Sequence, residues 1–328
     1  MRGLPSIYLS HFVFRGPGRV RSALALGLGL PLAALLALPL GCGRRETTPP
    51  VVEDTETSGR ISIATSPDLF GLVDTLAAGF RGNHPQATLE LGEAMPSNRV
   101  VAELLAGRAD VAVVGRALEP EEREMARRGG IEVEGHRIAL DGLCLVVHEA
   151  NPVENVSVSE LQRIWSGEIR DWGGLGGRHG RILPVLPPLY ADLARAFAQR
   201  VMAGQPLRAA SLVELSDSAV ADRVARTAGA IGLVPLRLAA APGVRALRVA
   251  PIEGAAYVEP DLETVHEGRY PLGAYVHLYL RTRRPRLAGG FLTYTASQPG
   301  QERVLAGGRL PTSVPLRFVR RSPMLGSH

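Results

Sequence analysis

From Arg60 onward the apolar positions switch between two periods. Arg60-Ile61-Ser62-Ile63-Ala64 is a short β-branched run that predicts a strand. Ser66 and Pro67 follow as an N-cap and a first-turn proline, and Leu69, Leu72, Val73, Leu76 and Phe80 then repeat at helical spacing. Thr88 to Leu91 predicts a second strand. Ser97 opens a helix with Val100, Val101, Leu104 and Leu105 on one face, and Val111 to Val114 reads as a buried strand. Three strands and two helices joined by short loops imply a parallel sheet with right-handed crossovers. Ligands in such sheets sit beyond the carboxyl ends of the strands. Three loops are thereby singled out: Thr65-Ser66, Met95 to Asn98, and Gly115-Arg116.

The alternation continues. A charged helix is predicted over Glu119 to Arg128, with strands over Ile131 to Ala139 and Leu143 to His148. Ser157-x-x-Glu160 is a capping box ahead of a helix that reaches Trp165. Further strands are expected at Ile182 to Leu186, Ala230 to Val234 and Ala274 to Leu280. Helices are expected from Asp192 to Met202, from Ser218 (as its cap) to Arg226, and near Phe291 and Gln301. The fold class is α/β.

The N-terminus differs in kind. Ser22 to Gly41 is an apolar run preceded by Arg19 and Arg21 and closed by Cys42, the layout of an export signal. Leu38-Pro39-Leu40-Gly41-Cys42 resembles the lipobox of bacterial lipoproteins, whose Cys carries the lipid, although Pro39 and Leu40 depart from the usual residues. A signal peptide cut elsewhere and an uncleaved anchor helix are the alternatives. On the lipoprotein reading, residues 1–41 are a signal peptide and 42–59 are a lipidated Cys and a polar tether. A body begins near Arg60, residues 319–328 form a tail, and the protein stands on the cell envelope facing the periplasm or the outside.

Charge removes one class of partner. The 328 residues hold 37 basic residues, all Arg, against 32 acids, a net charge of +5. Arg2, Arg15, Arg19 and Arg21 lie before Cys42, and without those four the balance is 33 against 32. Nucleic acid is therefore not expected as a partner. The absence of Lys excludes a P-loop and Schiff-base chemistry. The eight His residues (His11, His84, His136, His148, His179, His266, His277 and His328) show no metal-ligand spacing, and no nucleophile elbow occurs. Neither an enzyme nor a cofactor is expected. Cys144 lies in an apolar run and reads as an inert buried thiol, and Trp165 and Trp172 read as packing residues.

Asp141-Gly142, Asn151-Pro152-Val153, Ile164-Trp165-Ser166-Gly167-Glu168-Ile169 and Asp171-Trp172 together resemble one stretch of the PstS-like phosphate-binding proteins of the type 2 periplasmic-binding-protein superfamily. Gly229-Ala230-Ile231-Gly232, Tyr270-Pro271-Leu272, Ser297-Gln298-Pro299-Gly300-Gln301 and Gly308-x-Leu310-Pro311 extend the resemblance in order to Pro311. It implies two α/β lobes of mixed, mostly parallel sheets with a ligand cleft between them. The first lobe would comprise 60–140 plus 235–318 and the second 141–234, with crossovers near Asp141 and Val234. It also implies a monomeric solute-binding protein that delivers phosphate or a related small oxyanion to an ABC permease. The alternative is a binding fold that acts as an envelope sensor or interaction protein without the anion.

A desolvated phosphate needs backbone N–H groups, hydroxyls and an Arg. By the resemblance, Thr65, Ser66, Ser97, Asn98, Arg116, Asp192, Ser216 and Ser218 would line the cleft. The match is uneven. Pro96 replaces a donor in the second loop, and only Arg116 remains of the usual Ser-Ser-Arg in the third. In the fourth segment, Pro187-Pro188-Leu189-Tyr190-Ala191-Asp192 stands where the family presents an Arg and Ser-Gly-Thr.

Overall fold

The computed structural model describes residues 53–313. Cys42, the apolar run before it and the 319–328 tail lie outside the described residues. In chain order the elements are β1 (Gly59–Thr65), a 3-10 turn (Pro67–Leu69), α1 (Phe70–Asn83), β2 (Ala87–Leu91), α2 (Ser97–Leu105), β3 (Val111–Val114) and α3 (Pro120–Arg128). Next come β4 (Val133–His148), β5 (Asn155–Ser157), α4 (Val158–Trp165), β6 (Leu183–Leu186), α5 (Asp192–Arg200), β7 (Leu212–Val213), α6 (Asp217–Ala225) and β8 (Ala230–Pro235). The chain continues through β9 (Val244–Ala246), β10 (Arg248–Ala250), α7 (Leu262–His266), β11 (Gly273–Arg281), α8 (Arg286–Ala296) and α9 (Gln298–Ala306). Among the described residues, no helix is long and apolar enough to cross a membrane.

The principal sheet has the order β2-β1-β3-β11-β4-β8-β6-β7, with β9 also on β4. Strand pairs β1–β2, β1–β3, β6–β8 and β6–β7 are parallel, whereas β11 and β4 join the halves through antiparallel pairs. The two strands expected at 131–139 and 143–148 are one strand. Leu140-Asp141-Gly142 stays extended because Asp141 Oδ1 accepts the N–H groups of Gly142 (2.8 Å) and Leu236 (3.1 Å). Up to Gly142 the strand pairs with β11, and from Leu143 it pairs with β8.

Each lobe has its own core. In the first, Ile61, Ile63, Val73, Leu76, Val111 and Leu278 pack with Phe80, whose ring meets Phe291 and Tyr294 edge-on at 5.8 and 5.5 Å. In the second, Trp165 packs on Phe197 at 4.8 Å among Leu145, Val185, Val220 and Ile231. Trp165, Trp172 and Cys144 are buried in this core, and burial raises the Cys144 thiol pKa well above its ordinary value. Leu236, Leu247, Val249, Val265, Tyr270 and Leu272 also pack here, although residues from 235 onward were expected in the first lobe. The cause is strand pairing: β9 adds to β4, β10 pairs with β5, and the chain returns to the first core only at β11.

Residues 53–59, expected as the end of a solvated tether, are bound to the body. Asp54 accepts the Arg286 and Leu287 N–H groups at the start of α8 (2.9 and 3.2 Å), an N-terminal cap supplied from a distant part of the chain. The close approach needs Gly290, since a Cβ there would lie 1.8 Å from the Glu56 carbonyl oxygen.

Candidate functional site

β1 stops at Thr65 because Ser66-Pro67 fixes a turn: proline sets φ and removes a donor. Thr65 was expected in the cleft, but it is buried and donates Oγ1–H to the Val113 carbonyl at 3.1 Å, which ties β1 to β3. Ser66 stands at the N-cap position, but its side chain caps no backbone N–H. Its hydroxyl, on a residue only 1% exposed, donates instead to Asp192 Oδ2 at 2.8 Å. The Gly115 N–H, just past the end of β3, donates to the same oxygen at 2.6 Å. A Cβ at Gly115 would fall 2.9 Å from Asp192 Cβ, so the contact requires glycine.

Asp192 is the first residue of α5 and is 1% exposed. Its Oδ1 has no hydrogen-bond partner among the described residues, and Arg116 Nε lies 3.9 Å from it. Arg116, 3% exposed, is engaged on every side. Nε–H donates to Ser97 Oγ at 2.9 Å, and the guanidinium fork meets Glu122 Oε2 and Oε1 at 2.8 and 2.6 Å. Burial works against the arginine's charge, but Glu122, with Glu119 and Asp192, outweighs it and holds the pKa above the ordinary value. Ser97 thus orients the arginine.

Sequence reasoning missed three contributors, and it singled out the loop of a fourth, Gly115, without giving its N–H a role. Glu122 sits three residues after Glu119, whose N–H it accepts at 2.8 Å, and this acid spacing at a helix start was the available signal. The signal for Gly115 was its place in the loop just beyond β3. Asp68 lies in the turn after Ser66 with a buried Oδ1 that has no partner among the described residues. Burial, reinforced by Asp192 and Asp217 and opposed by Ser66 and Arg309, raises its pKa to about 7. Asp141, at the crossover of β4, faces Arg309 Nε at 3.3 Å; burial raises its pKa against the opposing charge of Arg309.

Asp68, Gly115, Asp141, Asp192, Asp217 and Arg309 surround a cavity of about 30 Å³, room for a water or two and not for a tetrahedral oxyanion. The other expected residues lie apart from it. Asn98 is exposed on α2 and lines neither this cavity nor its neighbour. Ser216 and Ser218 are exposed and line a second cavity of about 260 Å³ with Asp68, Tyr190, Leu215 and Asp217. The cap of α6 is Ser216, which accepts the Ala219 N–H at 3.2 Å, two residues before the expected cap at Ser218.

Residues 50–299 match the family model of the PBP superfamily domain. The chain belongs to the PBP superfamily. It is 27% identical over 298 residues to the phosphate-binding protein PstS of Bacillus subtilis, covering 88% of this chain and 94% of that protein. To PstS of Pseudomonas aeruginosa it is 22% identical over 272 residues, covering 77% and 83%. Among solved structures, an ABC-type phosphate transport receptor from Vibrio cholerae superposes with a TM-score of 0.67 at 22% identity, over 77% of this chain and all of that one. PstS from Borrelia burgdorferi gives 0.60 at 18%, over 77% and 99%. The two-lobed fold implied by the sequence resemblance is the fold observed.

Proposed function

We propose that the chain is the solute-binding protein of an ABC-type importer and takes phosphate or a related small oxyanion between its two lobes. The observation that carries this reading is the convergence of Ser66 Oγ, the Gly115 N–H and Arg116, at the ends of β1 and β3, on a pair of negatively charged oxygens. That is the donor set an anion needs, and the PstS relatives match along nearly the whole body. The lobes on this reading are 53–140 with 273–313, and 141–272, with Leu140 and Leu310 reaching into the second core. Binding, not catalysis, is the activity. Lipidation at Cys42 holds the protein outside the cytoplasmic membrane, where it works as a monomer with a permease.

A second reading, a binding fold that serves as an envelope sensor or interaction protein without the anion, draws on the other wall of the cleft. Pro187 and Pro188 cannot donate, and Asp68, Asp141, Asp192 and Asp217 crowd the cavity. Isothermal titration of phosphate into the stripped protein and into Asp192→Ser separates the two. Saturable binding in either, at millimolar affinity or tighter (about −4 kcal/mol or better), supports the oxyanion reading. No heat and no thermal shift in both would overturn it and leave the second.

A further inference from the structure

The donors on the first wall of the cleft are directed at a carboxylate of the chain itself. Ser66 Oγ and the Gly115 N–H share Asp192 Oδ2, and Arg116 Nε faces Oδ1. Asp192 comes from the other lobe: α5 buries Ala196 and Phe197 in the second core, whereas Ser66 and Gly115 end β1 and β3 of the first. We propose that Asp192 is a tethered stand-in for the solute, which occupies the oxyanion's place, latches the second lobe onto the first, and is displaced before phosphate binds.

Three observations support the latch. The first is space: with Asp192 in place the cavity beside it holds about 30 Å³, so phosphate cannot take the place at Ser66 Oγ and the Gly115 N–H while this carboxylate fills it. The second is charge. Glu122 already neutralises Arg116 through both arms of its guanidinium, while Asp68 turns a second, unpartnered carboxyl oxygen inward. A phosphate placed beside an undisturbed Asp192 would meet like charge, and Arg309, the cation that lines this cavity, already faces Asp141 at 3.3 Å. The third is that the helix carrying Asp192 is fastened twice across the cleft, since Arg195, one turn on, pairs with Glu119 before α3.

Competition by a tethered group lowers apparent affinity in proportion to the fraction of molecules left open. A latch closed in about 99 of 100 molecules weakens phosphate binding about 100-fold. The phosphate part of this inference rests on the oxyanion reading above; the latch itself does not.

The test compares wild type with Asp192→Ser, which shortens the latch and keeps a hydroxyl. Asp192→Asn serves as a shape-conserving control whose amide oxygen still accepts from Ser66 and Gly115. Small-angle X-ray scattering in phosphate-free buffer reads the latch, and calorimetric titration with inorganic phosphate reads the competition. The expected result is a larger radius of gyration for Asp192→Ser than for wild type, reversed by phosphate, with a dissociation constant lower by about tenfold or more. Asp192→Asn falls between the two. An unchanged radius of gyration overturns the latch. So does weaker phosphate binding in Asp192→Ser than in wild type, which would make Asp192 an acceptor for the phosphate proton. If Asp192→Ser opens and no form binds phosphate, the latch stands and the oxyanion reading fails.

Discussion

The two walls of the cleft are built to opposite rules. The first lobe presents fixed donors, Ser66 Oγ–H, the Gly115 N–H and the Arg116 guanidinium, held by partners at 2.6–2.9 Å, with Ser97 Oγ accepting from the arginine. The second lobe presents an acid and a loop that cannot donate: Asp192 after Pro187 and Pro188, with Asp217 on the next helix and Leu189, Tyr190 and Leu215 exposed beside it. One wall presents donors, and the other presents the carboxylate that accepts from two of them. On the proposal above, the same donors serve a tethered carboxylate in the latched form and phosphate in the open one.

The contrast predicts unequal costs. Arg116→Ala leaves Glu122 and Asp192 buried without their cation and should destabilise the body by about 3–5 kcal/mol in denaturant unfolding. A loss under about 1 kcal/mol would mean that these carboxylates are wetter than their burial indicates. Ser66→Ala removes a hydrogen bond to a buried carboxylate and should cost about 1.5–3 kcal/mol. An effect of a few tenths would dissolve the distinction between the walls.

Next in size is a pH effect. The Asp68 pKa stands at about 7, above its ordinary 3.8, chiefly through burial, so the fold favours the protonated form. That stabilisation is complete at acid pH below the ordinary value and is lost as pH rises through about 7. Melting temperature should therefore fall between pH 5 and pH 8, and Asp68→Asn, neutral throughout, should show a flatter profile. Parallel profiles would place the cause elsewhere. The smallest effects belong to the exposed loop of the second wall. Ser216→Ala removes a helix cap and should cost about 1 kcal/mol, whereas Ser218→Ala should stay within about 0.5 kcal/mol. Equal losses would return the cap to Ser218.

Periodicity located nearly every long element, because the apolar spacing along β1, α1, α2 and β3 is set by one buried face. It did not reveal β5, β7, β9 or β10, strands of two or three residues whose pairing partners lie far along the chain. The same limit governed the site. Ser66 and Arg116 were legible as candidate residues from their places after strands, and Asp192 from the family resemblance. Their mutual contacts were not, since Ser66 and Asp192 are separated by 126 positions and Gly115 and Asp192 by 77. Thr65 and Asn98 turn away from the cavity beside Asp192 for a related reason: the register of β1 on β3 and the rotation of α2 decide which side chain faces it.

A crystal structure of the wild-type protein grown with excess phosphate tests the central claim most directly. The account predicts phosphate within hydrogen-bond reach of Ser66 Oγ and the Gly115 N–H, with the Asp192 side chain turned away from both. Phosphate bound in the cleft beside an undisturbed Asp192, with Ser66 and Gly115 still on its carboxylate, would contradict it.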